Sequence, residues 1–237
     1  MSFEVAIGCN VRKSPFFDAT VADGVKGFSV YNHMFAPSHF GDPEGEYRAL
    51  IEKVVMWDVA CERQVELKGP DAEKLTRYLT TRDIGDTVVG QGKYVPICDY
   101  DGMLINDPVL QKLADDCFWL SIADSDILLW AKAIAAERGM DVRVTEPDAS
   151  PLGVQGPDAD NVVADLFGDW VRDLKYFWFR DTDLDGIPVL LARSGWSKQG
   201  GFELYLRDGS RGTELYNRVK EAGEPYGIVS TLSLIHI

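Results

Sequence analysis

Histidine is scarce in this 237-residue chain, with 3 residues, and basic residues are outnumbered, with 24 Lys and Arg against 38 Asp and Glu. So few histidines do not support most histidine-based metal sites, and no H-E-x-x-H occurs. His33 and His39 read as polar loop residues, and no metal is expected. A formal net charge of −14 repels phosphate backbones and anionic lipid headgroups, which argues against nucleic acid or a membrane surface as a partner.

Long apolar runs are missing as well. A bilayer span needs about 20 mostly apolar residues. The longest candidate, Ile127 to Ala136, is shorter and contains Lys132. Met1 to Asn10 carries Glu4 and no basic residue, unlike a signal peptide. The 4 cysteines, Cys9, Cys61, Cys98 and Cys117, form no C-x-x-C, and their spacing suggests neither a zinc site nor a disulfide framework. Free thiols in a reducing cytoplasm are expected. Nucleotide motifs are absent too. Gly90-Gln91-Gly92 lacks a third glycine and runs into a strand pattern, and Gly195 to Gly201 lacks the Lys and Ser/Thr of a P-loop.

What is present is a globular composition, 46% hydrophobic and 26% charged, sufficient for one large domain or two small ones. Residues 11–43, rich in Gly, Pro, Phe and Tyr, show no helical period and read as an extended arm. Glu44 to Val54 reads as a helix, with Tyr47, Leu50, Ile51 and Val54 on one face. Gln64 to Leu67 alternates as a strand. Gly69-Pro70-Asp71-Ala72 then opens a helix with Leu75, Tyr78 and Leu79 inward. Residues 93–123 read as a strand meander turned at Asp101-Gly102. Ser125 is expected to cap a helix running to Arg138 and stopped by Gly139, before a strand at Val142 to Thr145. Strands at Pro188 to Ala192 and Phe202 to Leu206 precede a helix from Ser210 to Glu221. Hairpins mixed with single helices indicate an α+β fold rather than a doubly wound sheet.

One phrase recurs. Leu152 to Ala159 echoes Val65 to Ala72 at an offset of 87 residues, each copy reading strand, Gly-Pro-Asp-Ala, helix. Coincidence and a duplicated α+β unit, with repeats near 57–146 and 150–229, are both consistent with it. The end of the chain breaks the pattern: Leu232 to Ile237 lacks the logic of the preceding helix and its glycine stop. Leu-Ser-Leu-Ile-His-Ile is also the translation of the end of a common transposon sequencing adapter. Residues 230–237 are therefore expected to be a non-native tail on a fragment, impaired in activity, and His236 is set aside.

Two segments invite chemistry. Asn106-Asp107 goes against strand propensity, so the acid sits at a bulge, faces a cavity, or occupies an exposed edge before Pro108. Ala192 to Tyr205 is a glycine-rich loop carrying Trp196 into a strand. There Glu203 and Tyr205 share one face and Phe202 and Leu204 the other. Trp196 either seals a core edge or walls a ligand site.

These segments, with Val30 to Met34, Trp57 to Val65 and Ser121 to Asp126, resemble the dimethylsulfoniopropionate demethylase family of the tetrahydrofolate-dependent glycine-cleavage T-protein superfamily, in order from about Val11 to Val229. The T-protein itself is less similar, having Tyr-Thr-Gly-Glu where this chain has Trp196-Ser197-Lys198-Gln199. The resemblance implies a folate-binding fold of two related α+β subdomains around a central funnel, with a further C-terminal domain missing from residues 1–229. It implies methyl transfer from a small sulfonium substrate to N5 of tetrahydrofolate, giving 5-methyltetrahydrofolate and methylmercaptopropionate. It places Asp107 near the reacting folate nitrogens, Glu203 on the pterin edge, and Tyr94, Ser121 and Tyr205 along the folate wall. Trp196 faces the sulfonium, with Tyr31 and Trp170 as weaker choices. The alternatives are another folate-dependent aminomethyltransferase or O-demethylase, or a folate-binding protein without transfer activity. Oligomeric state stays open, a homodimer included.

Overall fold

The computed structural model describes residue 8 and residues 10–231; Cys9 and residues 232–237 of the expected 230–237 tail lie outside them, whereas Ser230 and Thr231 are described. The reading of residues 11–43 as an extended arm is corrected. Helix α1 (Phe17–Ala22) is followed by a hairpin of β1 (Gly27–Tyr31) and β2 (Met34–His39). Phe17, Phe28 and Phe35 cluster, with ring centroids 4.7–5.8 Å apart, and anchor the helix on the hairpin. Asn32 and His33 turn it in the left-handed region, φ 52° and 61°. Two consecutive left-handed residues define the tight turn that matches strand twist.

Helix α2 (Pro43–Glu52) stops two residues before Val54, and it buries Glu46, Ala49 and Leu50 while Tyr47 and Ile51 stay exposed. The predicted face is thus rotated. The reason is Glu46, which accepts from the Phe40 amide (2.8 Å) and the Thr231 hydroxyl (2.9 Å) and draws that side inward. Strands β3 (Val55–Asp58) and β4 (Gln64–Lys68) lead to α3 (Ala72–Leu79), where Leu75 and Leu79 are buried. Tyr78 is exposed instead and carries the Arg138 guanidinium over its ring at 3.7 Å.

The predicted meander resolves into β5 (Gly92–Tyr94), β6 (Ile97–Cys98), β7 (Leu104–Asn106), β8 (Val109–Ala114) and β9 (Cys117–Ser121). Helix α4 (Ile127–Glu137) starts after Asp126, and Ser125 does not cap it. The Ser125 hydroxyl accepts from the Asn106 amide at 2.7 Å. Strands β10 (Arg143–Thr145) and β11 (Ser150–Gln155) and helix α5 (Ala159–Phe167) follow. Then come β12 (Phe179–Leu184), β13 (Ile187–Ala192), β14 (Gly201–Leu206), α6 (Gly212–Gly223) and β15 (Val229–Ser230).

One sheet has the order β10-β4-β9-β8-β5 and a second the order β12-β13-β14-β11-β3-β15. The first lies wholly within residues 64–145, whereas the second takes β3 from before it. The two Gly-Pro-Asp-Ala phrases build the same joint. The Asp71 amide donates to Asp141 O (3.1 Å), just ahead of β10, and the Asp158 amide to Lys53 O (3.0 Å), just ahead of β3. A Cβ on Gly69 or Gly156 would fall 2.8 or 2.6 Å from those same carbonyls, so close backbone approach fixes the glycine in both copies.

Strand alternation then decides what meets in the middle. In β9, Phe118 and Leu120 join the core under α3 and α4. In β14, Phe202, Leu204 and Leu206 join the core under α5 and α6. The alternate residues, Trp119 and Ser121 on one strand and Glu203 and Tyr205 on the other, face the space between the sheets. There Trp119, Phe179, Leu190 and Tyr205 form a third apolar cluster. The fold is α+β, helices outside and two sheets inside, as the sequence implies.

Candidate functional site

The space between the sheets opens into two cavities on either side of Trp196. One, about 170 Å³, is lined by Tyr31, Glu62, Asp107, Ser121, Ile122, Ala123 and Trp196. The other, about 230 Å³, is lined by Tyr94, Val109, Tyr176, Phe177, Gly195, Trp196 and Glu203. Seven of the eight sequence-predicted site residues thus gather here, Tyr205 through its bond to Glu203. Trp170 does not. It packs on the core beneath the second sheet, donates to Phe167 O at 2.7 Å and carries the Arg180 guanidinium over its ring at 4.7 Å.

Glu203 is buried at the inner face of β14. Its Oε2 accepts from Ser194 Oγ (2.5 Å) and from the Tyr205 hydroxyl (3.0 Å), which leaves Oε1 for the cavity. Burial raises its pKa above the usual carboxylate value, partly offset by these two donors. The Tyr205 phenol is pushed well up by burial and by the Glu203 charge, and it lies 3.5 Å from Ser121 Oγ, which accepts from the Gln64 amide at 3.0 Å.

Asp107 occupies the break between β7 and β8, where the Asn106–Asp107–Pro108 run interrupts the ladder. Asn106 makes the break rigid: its side chain donates to Ala123 O (2.9 Å) and accepts from Ala123 N (3.0 Å). Asp107 is therefore held toward the cavity, not on an exposed edge, and it accepts from the Tyr94 hydroxyl at 3.0 Å. Burial first, then the bond to Asp107, raises the Tyr94 phenol pKa. The Tyr94 ring meets Trp196 edge-on, centroids 5.6 Å apart.

Trp196 is 46% exposed, so it is a wall of the site rather than a core residue. Its loop is pinned from below by Gln155, whose amide donates to Ser194 O (2.9 Å) and accepts from Ser197 Oγ (2.8 Å). A Cβ on Gly195 would fall 2.2 Å from the Gln155 Oε1, which explains the glycine before the tryptophan. Tyr31, at the end of β1, closes the smaller cavity, and its hydroxyl accepts from the Asp124 amide at 3.0 Å. Burial pushes its phenol up to about 12.

Sequence reasoning missed Glu62, Gln64, Tyr176 and Ser194. Tyr176 stood in no segment singled out, Ser194 stood in the loop Ala192 to Tyr205, and Glu62 and Gln64 stood in Trp57 to Val65. Their inward direction depends on the turn after β3, which periodicity does not reveal. A larger groove of about 460 Å³ lies near Arg12, Lys13 and Arg63, but those cations are engaged by Glu146 and Asp18.

A buried acid with one oxygen left toward a cavity, amid aromatic walls, can accept hydrogen bonds from a flat polar ligand. The chain is 47% identical over 213 residues to dimethylsulfoniopropionate demethylase DmdA of Ruegeria pomeroyi, covering 90% of this chain and 58% of that protein. It is 30% identical to an aminomethyltransferase of Bacillus velezensis, covering 92% and 60%. It thus spans about 58–60% of the length of these curated relatives. In structure it matches the glycine cleavage system aminomethyltransferase T of Bartonella henselae with a TM-score of 0.79 at 20% identity, covering 93% of this chain and 59% of that one. A heterotetrameric sarcosine oxidase of Corynebacterium matches with a TM-score of 0.57 at 19% identity, over 79% of this chain and 94% of that one. Residues 16–231, which hold both sheets and both cavities, match the profile of the GCVT N-terminal domain, and the chain belongs to that family.

Proposed function

We propose that this chain carries the folate- and substrate-binding part of a tetrahydrofolate-dependent dimethylsulfoniopropionate demethylase, a methyltransferase. The observation that carries the reading is Trp196, an exposed indole standing between a cavity with Glu203 and a cavity with Asp107. The 47% identity to a protein named for that reaction supports it. Tetrahydrofolate, when bound, would supply N5 as the methyl acceptor: the S–CH3 bond breaks as the N–CH3 bond forms and the N5 proton is released, giving methylmercaptopropionate and 5-methyltetrahydrofolate.

The residues of the chain do the rest. Glu203 takes the donors of the pterin edge on Oε1. Tyr205, Ser121 and Tyr94 fix the wall, and Tyr94 orients Asp107 toward the reacting nitrogen. Trp196, with Tyr31, holds the sulfonium by its ring face, an attraction worth about 0.5–2 kcal/mol. A sulfonium is already a good leaving group, so positioning and exclusion of water suffice. Two tests apply. Turnover of dimethylsulfoniopropionate with tetrahydrofolate by the complete gene product should yield both products; absence of either removes the demethylase reading. Trp196→Leu keeps apolar bulk and removes the ring face. It should weaken sulfonium binding by roughly 0.5–2 kcal/mol while a neutral thioether analogue binds as before. Equal losses for both ligands, or a lower melting temperature without a selective loss, would make Trp196 structural.

A further inference from the structure

We propose that Glu62 is the counter-ion that selects the positively charged sulfonium end of the substrate in the cavity beside Trp196. This deepens the demethylase reading and rests on it for the identity of the cation. Glu62 follows the turn after β3, held by its amide to Val59 O (2.8 Å) and by the Gln64 amide on its carbonyl (2.7 Å). It is 7% exposed, and that remaining surface faces the cavity it lines with Tyr31, Asp107, Ser121 and Trp196. Its carboxyl has no hydrogen bond and no ion pair among the described residues. A buried polar group without a partner is costly unless something else satisfies it.

The groups that face Glu62 are acids and weak acids. Glu203 and Asp107 act on it electrostatically, and it acts in turn on the Tyr31 and Tyr205 phenols and the Cys61 thiol. No Lys or Arg is among them; the adjacent Arg63 is engaged by Glu146. Burial, then Glu203, then Asp107 raise the Glu62 pKa well above the usual carboxylate value. Two acids, Glu62 and Asp107, line this cavity and Glu203 acts on it from the neighbouring one, a setting that disfavours an anionic group and gives a neutral one no electrostatic advantage. A cation reverses the balance: it favours the carboxylate, any proton on it leaves, and the pair is neutral inside a low-dielectric space. Trp196 and Tyr31 supply ring faces to the same cation, and Glu62 supplies the formal charge.

The test is calorimetric titration of the complete gene product and its Glu62→Gln variant in phosphate and in Tris, whose ionisation enthalpies differ. The ligands are dimethylsulfoniopropionate, methylmercaptopropionate and trimethylsulfonium. Wild type should release a fraction of a proton on binding either sulfonium and none on binding the thioether. Glu62→Gln, nearly isosteric, should bind both sulfoniums at least about tenfold more weakly, bind the thioether as before, and lose the release. Trimethylsulfonium separates the two readings. If it alone binds, with Glu62-dependent release, the demethylase reading falls and Glu62 stands. If the variant keeps sulfonium affinity, or keeps the release, Glu203 is the source and the proposal is overturned. Failure of both sulfoniums to bind overturns it without any variant.

Discussion

Asp58→Asn should stabilise the protein by about 3 kcal/mol at neutral pH and by almost nothing near pH 4. Asp58, at the end of β3, is buried, and its carboxyl meets Ser14 Oγ at 2.5 Å and the Ala60 amide at 3.0 Å. Burial lifts its pKa from 3.8 to about 6, against the lowering effect of those two bonds. The folded state therefore binds the proton more tightly than the unfolded chain. Between pH 4 and pH 6 the native state holds more protons, so stability falls as pH rises through that window and is flat above it. A shift of about two units corresponds to about 3 kcal/mol at 1.36 kcal/mol per unit. Asparagine cannot ionise, yet its oxygen accepts from the Ala60 amide and its amide donates to Ser14 Oγ, as a protonated aspartic acid would. Urea unfolding of both proteins at several pH values between 4 and 7 measures the difference. A difference that stays constant across this range would mean that Asp58 is ionised in the native state throughout.

The buried acids mark where sequence reading stops. Element types came through wherever a period spans a whole element. β14 alternates over six residues, and α6 buries the predicted Leu215, Tyr216 and Val219. The hairpin of β1 and β2 was illegible because a two-stranded sheet over a small aromatic cluster needs no strict alternation, and only the Asn32 turn hinted at it. α2 was read with the wrong face because a glutamate, not an apolar residue, is its inward anchor. For the site, alternation in β14 put Glu203 and Tyr205 on one face. That this face is the inner one, opposite Ser121 of β9, follows from the helices covering both outer faces, a tertiary fact. Family resemblance supplied the assignment of Glu203, Asp107 and Trp196, which local pattern did not. It did not supply Glu62, whose direction depends on a turn, nor did it keep Trp170 out of the site.

Glu203→Gln should weaken tetrahydrofolate binding by about 1–3 kcal/mol, roughly five- to 150-fold, and sulfonium binding much less. The ionised carboxylate uses Oε2 for Ser194 and Tyr205 and offers Oε1 to the cavity. An amide has one acceptor and one donor end. If its oxygen keeps the hydroxyls, the NH2 faces the N–H groups of the pterin edge. If it turns, the pterin meets a neutral acceptor without charge assistance, and both hydroxyls must reorient. Either way a charge-assisted contact is lost in a buried place, where it is worth most. Burial raises the Glu203 pKa, so wild-type affinity for folate should also fall as pH is lowered, beginning above the range of an ordinary carboxylate. The glutamine variant has no such group, and its affinity should be flat where the wild type declines. Calorimetric titration of tetrahydrofolate into both complete proteins at two pH values reads the affinity loss and the pH slope together. An unchanged dissociation constant would take Glu203 off the pterin edge. A loss with an unchanged slope would leave it there and transfer the titration to another group, Glu62 being the one coupled to it.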